Sequence, residues 1–185
     1  KINHAVIGAW SRILLRVPGS KLLLIGMPGD STRARFEASF AGHGVDPSRL
    51  SLLPRVPDAD FWRLRHDIDI ALDPFPYNGV TSTCEALYAG TPMATLAGSY
   101  GQSRTAASIL AAVGLGDLVA HTDEEYLEIN ARLASDLQRL SELRASLRER
   151  MQASPLMDYR ALTSALEDLY RGIWTDWAGR HPQPQ

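Results

Sequence analysis

Apolar residues at 6, 10, 13, 14 and 17 recur at helical spacing and predict a helix over Ala5–Val17, ended by Pro18-Gly19. Leu22-Leu23-Leu24-Ile25 is a short continuous apolar run, the mark of a strand covered on both faces. Gly26 to Asp30 reads as a loop, with Asp30 or Ser31 capping a helix that runs to about Ala41 and breaks at Gly42 and Gly44. Leu50–Leu53 is a second strand, and Pro57-Asp58 opens a short helix to about His66. Ile68–Leu72 is a third strand and Thr81–Tyr88 a helix ended by Gly90. Met93–Leu96 is a fourth strand, and Ser103–Val113 an Ala-rich helix stopped by Gly114. Leu118–Ala120 is a short fifth strand.

Strands alternating with helices at this spacing give an α/β fold. A parallel, Rossmann-like sheet with flanking helices and right-handed crossovers is expected. In such sheets ligands sit beyond the carboxyl ends of the strands. The loops 26–30, 54–58, 73–80 and 97–102 should share that edge. The last third is a helical extension. Asp123–Met151 places Leu133, Leu137, Leu140, Leu143, Leu147 and Met151 on one face, the pattern of a packed helix and too short a repeat for a coiled coil. Ser154-Pro155 restarts a helix, carrying Tyr159, Leu162, Leu166, Leu169, Ile173 and Trp177 at helical spacing. Trp174 and Trp177 are expected to pack on a neighbouring lobe or the core. Residues 1–178 read as one domain and 179–185 as a disordered polar tail.

Composition narrows the partners. Among 185 residues, 45% are hydrophobic and 22% charged, with a net charge of −2, so nothing advertises nucleic acid or a membrane. No run approaches the roughly 18 apolar residues of a membrane span. The start, Lys1-Ile2-Asn3-His4, is no signal peptide and lacks an initiator Met, which suggests a piece of a longer protein. The single Cys84 excludes an internal disulfide framework, and a reducing, cytoplasmic setting fits.

The chemistry concentrates in Asn78-Gly79-Val80-Thr81-Ser82-Thr83-Cys84-Glu85. It lies between the third strand and a helix. Val80, Thr81 and Ser82 stand at a helix start, where free N–H groups and the dipole favour an anion. Gly79 lets the backbone come close. Thr and Ser are also common N-caps, so the turn alone is compatible with a plain capped helix. Glu85, at i+4 from Thr81, projects on the same face and suits a vicinal ribose diol, although a helix acid can equally be solvated. Asp67, Asp69 and Asp73 could suggest a metal cluster, but Asp69 alternates with Ile68 and Ile70 on a strand. The five histidines show no metal-ligand spacing. Cys84 reads as a packing residue, because no histidine partner is placed beside it.

The stretch from Asn78 to Met93 resembles the donor-binding segment of protein O-GlcNAc transferases and their SPINDLY relatives, N-G-H-T-T-G-x-D-x-L-x-A-G-T-P-M in animals. Lys1-Ile2, Trp10, Ile13-Leu14, Val17-Pro18 and Ser20 match the family's K-I … W-x-x-I-L-x-x-V-P-x-S upstream. Ser103-Arg104 with Ala106-Ala107-Ser108, and Ser154-Pro155-Leu156, match downstream. The resemblance implies the C-terminal, donor-binding lobe of a GT-B enzyme of glycosyltransferase family 41, from a bacterial member.

The roles it implies fall residue by residue. Lys1 matches a lysine on the donor diphosphate and would neutralise the leaving UDP. Gly79, Val80, Thr81 and Ser82 match the diphosphate turn, and Glu85 an aspartate on the ribose. Val56 matches a position that bonds uracil through its backbone. Three positions depart from the animal pattern: Val80 and Phe61 replace His, and Asp58 replaces Lys. Phe61 can stack on a base but cannot hydrogen-bond it. Enzymes of this type need no metal or other cofactor, and UDP-GlcNAc is a substrate. The implied activity is inverting transfer of N-acetylglucosamine to protein Ser/Thr hydroxyls, with the base, acceptor groove, N-terminal lobe and helical repeats outside this chain, which alone would bind UDP and transfer nothing. A GDP-fucose-using SPINDLY-like O-fucosyltransferase and a non-catalytic nucleotide-binding module stay open. A receiver domain ranks below both, because 26–30 supplies only Asp30.

Overall fold

The computed structural model describes residues 1–181. Its elements follow the expected order: α1 (His4–Arg16), β1 (Leu22–Ile25), α2 (Asp30–Gly42), β2 (Leu50–Leu53), α3 (Asp58–His66), β3 (Ala71–Leu72), α4 (Thr81–Tyr88), β4 (Met93–Leu96), α5 (Thr105–Ala112), β5 (Val119–Ala120), α6 (Asp123–Ser135), α7 (Leu137–Gln152) and α8 (Tyr159–Arg180). Every strand pairing is parallel. β1 pairs with β2 from Leu22↔Leu50 to Ile25↔Leu53, and β4 lies between β3 and β5.

The strands form a two-stranded and a three-stranded parallel sheet. Of the expected Ile68–Leu72 only Ala71 and Leu72 join the ladder. The Arg144 guanidinium takes the carbonyls of His66 (3.1 Å), Ile68 (2.6 Å) and Asp69 (3.3 Å), and the Ile68 N–H bonds to the Arg65 carbonyl at 3.2 Å. Those groups have no need of a neighbouring strand. Both ladders nevertheless share one hydrophobic core, in which Val6, Phe40, Leu87, Leu110 and Leu147 are fully buried. Each such side chain contributes roughly 1.5–3 kcal/mol.

Arg49 ties the first helix to the second strand. Its Nη2 bonds the carbonyls of Leu14 (2.7 Å) and Val17 (3.0 Å), and its Nε the carbonyl of Ser20 (2.7 Å), so one guanidinium satisfies orphan acceptors at the end of α1.

Local expectations are corrected at five places. α2 starts at Asp30 behind Gly29 (φ 147°), with no side-chain cap from Asp30 or Ser31. The long helix over 123–151 is two helices. Asp136 leaves the helical region (φ −94°, ψ 80°), and its carboxylate accepts from the Arg139 N–H at 2.9 Å, starting α7 afresh. Leu137, placed on the buried face by periodicity, is therefore exposed. Ser154 caps only a 3₁₀ turn, Pro155–Met157, while Asp158 caps α8. Residues 179–180, assigned to a disordered tail, are the last of α8, and residues 182–185 of that tail lie outside the described residues. Along α8 no residue is buried, and Trp174 and Trp177 stack on each other (5.3 Å between rings) instead of entering the core.

Candidate functional site: the carboxyl edge of the strands

The four loops expected at the sheet edge meet in pairs. Gly26 and Met27 N–H groups bond the Leu53 carbonyl at the ends of β1 and β2, and the Asn78 N–H bonds the Gln102 carbonyl across the loops after β3 and β4. A cleft of about 340 Å³ opens beyond β1 and β2, lined by Ile25, Gly26, Arg55, Val56, Asp58 and Phe61. Val56 and Phe61, the two expected base contacts, thus share one wall.

The turn before α4 is built on Asp73. Its carboxylate is buried and accepts from the Gly79 N–H (2.8 Å) through Oδ1 and from the Thr95 hydroxyl (2.6 Å) through Oδ2. Burial pushes its pKa up to about 6, opposed by those two hydrogen bonds and by the Lys1 charge. The Asp73 carbonyl accepts from the Tyr126 hydroxyl at 3.1 Å, which in turn accepts from the Trp10 indole N–H at 3.2 Å. Burial raises the Tyr126 pKa, keeping that phenol a donor. A chain of polar contacts therefore runs from α1 through α6 to the turn. The Asp73 carboxylate is spoken for by the fold, and among the described residues no group of three His, Cys, Asp or Glu side chains is placed to hold a metal.

Gly79 is required by close approach. A Cβ there would lie 2.5 Å from Ser82 Oγ and 2.8 Å from Thr83 Oγ1. Val80 precedes α4, and no side chain among the described residues caps that helix. Val80, Thr81 and Ser82 are exposed, so the first N–H groups and two hydroxyls face solvent. Lys1 comes to the same place from 77 residues away: its Nζ donates to the Asn78 carbonyl at 3.1 Å and sits 4.3 Å from the Tyr77 ring centroid. A cation beside an uncapped helix start is an arrangement that can hold a diphosphate.

Glu85 lies on α4, but it is not a free carboxylate. Oε2 is paired with Arg65 Nη2 at 2.9 Å. Arg65 is buried, and its guanidinium lies 4.7 Å from the Phe61 ring centroid, one turn back along α3. The expected site residues thus fall in two groups, Lys1 with the Gly79–Ser82 turn and Val56 with Phe61, and Arg65 links Phe61 to Glu85. Sequence reasoning missed Arg65, Asp73, Tyr77 and Tyr126 as parts of the site. Only Arg65 left a usable signal, its i+4 spacing from Phe61.

A parallel α/β lobe with its cleft and open helix start at the carboxyl edge defines the class: a Rossmann-like lobe of the GT-B glycosyltransferases. Residues 1–166 match glycosyl transferase family 41, and the chain belongs to that family. It is 43% identical over 94% of its length to a probable UDP-N-acetylglucosamine–peptide N-acetylglucosaminyltransferase SPINDLY of Hordeum vulgare, covering 19% of that protein. It is 31% identical over 98% of its length to the UDP-N-acetylglucosamine–peptide N-acetylglucosaminyltransferase of Caenorhabditis elegans, covering 16% of it. A solved structure, the K341M mutant of Thermobaculum terrenum O-GlcNAc transferase, superposes with a TM-score of 0.87 at 39% identity, covering 93% of this chain and 34% of that one. The chain thus spans about a fifth of the length of its SPINDLY relatives. No described helix is long and apolar enough to cross a membrane.

Proposed function

We propose that this chain is the donor-binding lobe of an inverting, metal-independent glycosyltransferase that moves N-acetylglucosamine from UDP-GlcNAc to protein Ser/Thr hydroxyls in the cytoplasm. The observation that carries the reading is the convergence of Lys1 with the uncapped start of α4, one helical turn from the braced carboxylate of Glu85. Lys1 and the N–H groups at Val80–Ser82 meet the charge that develops on the departing diphosphate, where a metal is otherwise needed. Thr81 and Ser82 add hydroxyl donors, Glu85 takes the ribose diol, and the Val56–Phe61 cleft takes the base. The names of the relatives support the donor and acceptor. The general base and acceptor groove belong to an N-terminal lobe, and the chain alone binds UDP without transferring sugar. Titration of UDP into this chain, and assay of UDP release from UDP-GlcNAc by the full-length protein, test the reading; absence of both sinks it.

A second reading keeps the lobe and changes the base. Asp58 lines the cleft beside Val56 and Phe61. A carboxylate can accept both N1–H and N2–H of guanine, whereas uracil offers it only N3–H. Tighter binding of GDP than UDP in the same calorimetry replaces the uridine assignment and points to a GDP-sugar donor such as GDP-fucose.

A further inference from the structure

The Arg65–Glu85 pair is held in a way that a surface ion pair is not. The Arg65 side chain is 10% exposed and that of Glu85 33%. Burial lowers the Arg65 pKa and the Glu85 charge opposes the shift, so the pair depends on both members. The guanidinium carbon lies 4.7 Å from the Phe61 ring centroid and 5.6 Å from that of Trp62, which confines it. Its Nε is buried with no hydrogen-bond partner among the described residues.

Resting on the nucleotide-binding reading above, we propose that Arg65 is a positioning residue for ribose recognition. Its Nη2 locks Glu85 Oε2 and leaves Oε1 to accept from the ribose diol. Its place over the Phe61 ring makes base seating and carboxylate orientation one event. A glutamate left to itself would sample several rotamers, and ordering it would subtract from affinity. Lysine at 65 would carry the charge but not the flat, delocalised guanidinium that lies over Phe61.

The test compares UDP with 2′,3′-dideoxy-UDP by calorimetry on the full-length protein, in the wild type, Arg65→Met, Arg65→Lys and Glu85→Gln. Wild type prefers UDP by about tenfold or more, the size of a hydrogen bond to a charged group. Arg65→Met and Glu85→Gln each collapse that ratio toward one, and combining Arg65→Met with Glu85→Gln in one chain is no worse than Glu85→Gln alone. Arg65→Lys lowers the ratio too, and it carries the test should Arg65→Met not fold. A residue that merely supports the fold would weaken both nucleotides alike, so an unchanged ratio in a folded Arg65 variant overturns the proposal. Loss of discrimination in Glu85→Gln with the ratio intact in both Arg65 variants overturns it as well, leaving the donor site in place. Absence of UDP binding to the wild type instead removes the functional reading beneath it.

Discussion

Replacing Asp73 with Asn tests the foundation of the site turn. The carboxyl titrates near 6 in the folded chain against 3.8 ordinarily, because burial disfavours its charged form more than Thr95, Gly79 and Lys1 favour it. Between those pH values the folded chain holds a proton that the unfolded chain has released, so stability falls as pH rises. This residue's contribution is fully present below about pH 3.8 and lost through pH 6. A shift of roughly two units corresponds to about 3 kcal/mol. Asparagine has nearly the same shape and no charge. Its Oδ1 still accepts from the Gly79 N–H, and the Thr95 hydroxyl turns to accept from Nδ2. The variant should therefore gain on the wild type as pH rises from 4 to 7, by about 3 kcal/mol, or about 6–12 °C in a domain of this size. Urea unfolding of both proteins across that range gives the difference directly, and other titrating groups cancel. A difference independent of pH would refute the argument that burial dominates at Asp73, and one that moves against the variant would reverse its sign.

Gly79→Ala forces a Cβ to within 2.5 Å of Ser82 Oγ and 2.8 Å of Thr83 Oγ1; exposed Ser82 can swing away and buried Thr83 cannot, so urea unfolding should show a loss of about 1–3 kcal/mol together with weakened UDP binding. Lys1→Met in the full-length protein should lower turnover about 10²–10³-fold while melting changes little, and unchanged turnover removes Lys1 from the mechanism. Arg49→Ala removes four bonds to Leu14, Val17 and Ser20 and should destabilise by about 2–3 kcal/mol in denaturant titration, with UDP affinity retained in the folded fraction.

Helix positions were legible wherever a short periodic segment ended in its own punctuation. α3 and α4 begin and end where Pro57, Gly79 and Gly90 imply, and β1, β2 and β4 coincide with their apolar runs. What periodicity could not show was a side chain arriving from elsewhere. Arg144, 76 residues from Ile68 in sequence, removes half of the third strand from its ladder. Asp136 breaks a continuous leucine stripe, because a local carboxylate-to-backbone bond competes with the helix it interrupts. The site divides the same way. The Asn78–Glu85 motif was readable because its residues are local. Asp73 looked like an ordinary acid at a strand end, and nothing nearby in sequence announces Thr95 or the Tyr126 hydroxyl that bond it. Glu85 lies on α4 as its spacing implies, and its partner Arg65 sits on another helix, beyond local sequence.

The two halves of the proposed diphosphate site differ in how firmly they are held, and that difference suits the chemistry. The turn is fixed from several sides: Asp73 on the Gly79 N–H, Gln102 on the Asn78 N–H, and Tyr126 on the Asp73 carbonyl. A group that must meet developing charge without reorganising has to be set in advance, and the N–H groups at the start of α4 are. Lys1 is exposed, and its direct contacts among the described residues are a carbonyl at 3.1 Å and an aromatic face at 4.3 Å. Such contacts contribute roughly 0.5–1.5 kcal/mol for the hydrogen bond and about 0.5–1 kcal/mol for an exposed cation–π pair. A charge-assisted bond to phosphate exceeds either one. The lysine can therefore leave Asn78 for the diphosphate and return after release, while the turn stays where the buried carboxylate holds it. Removing the Tyr77 ring should consequently alter the resting position of Lys1 far more than turnover, whereas removing Lys1 should do the reverse.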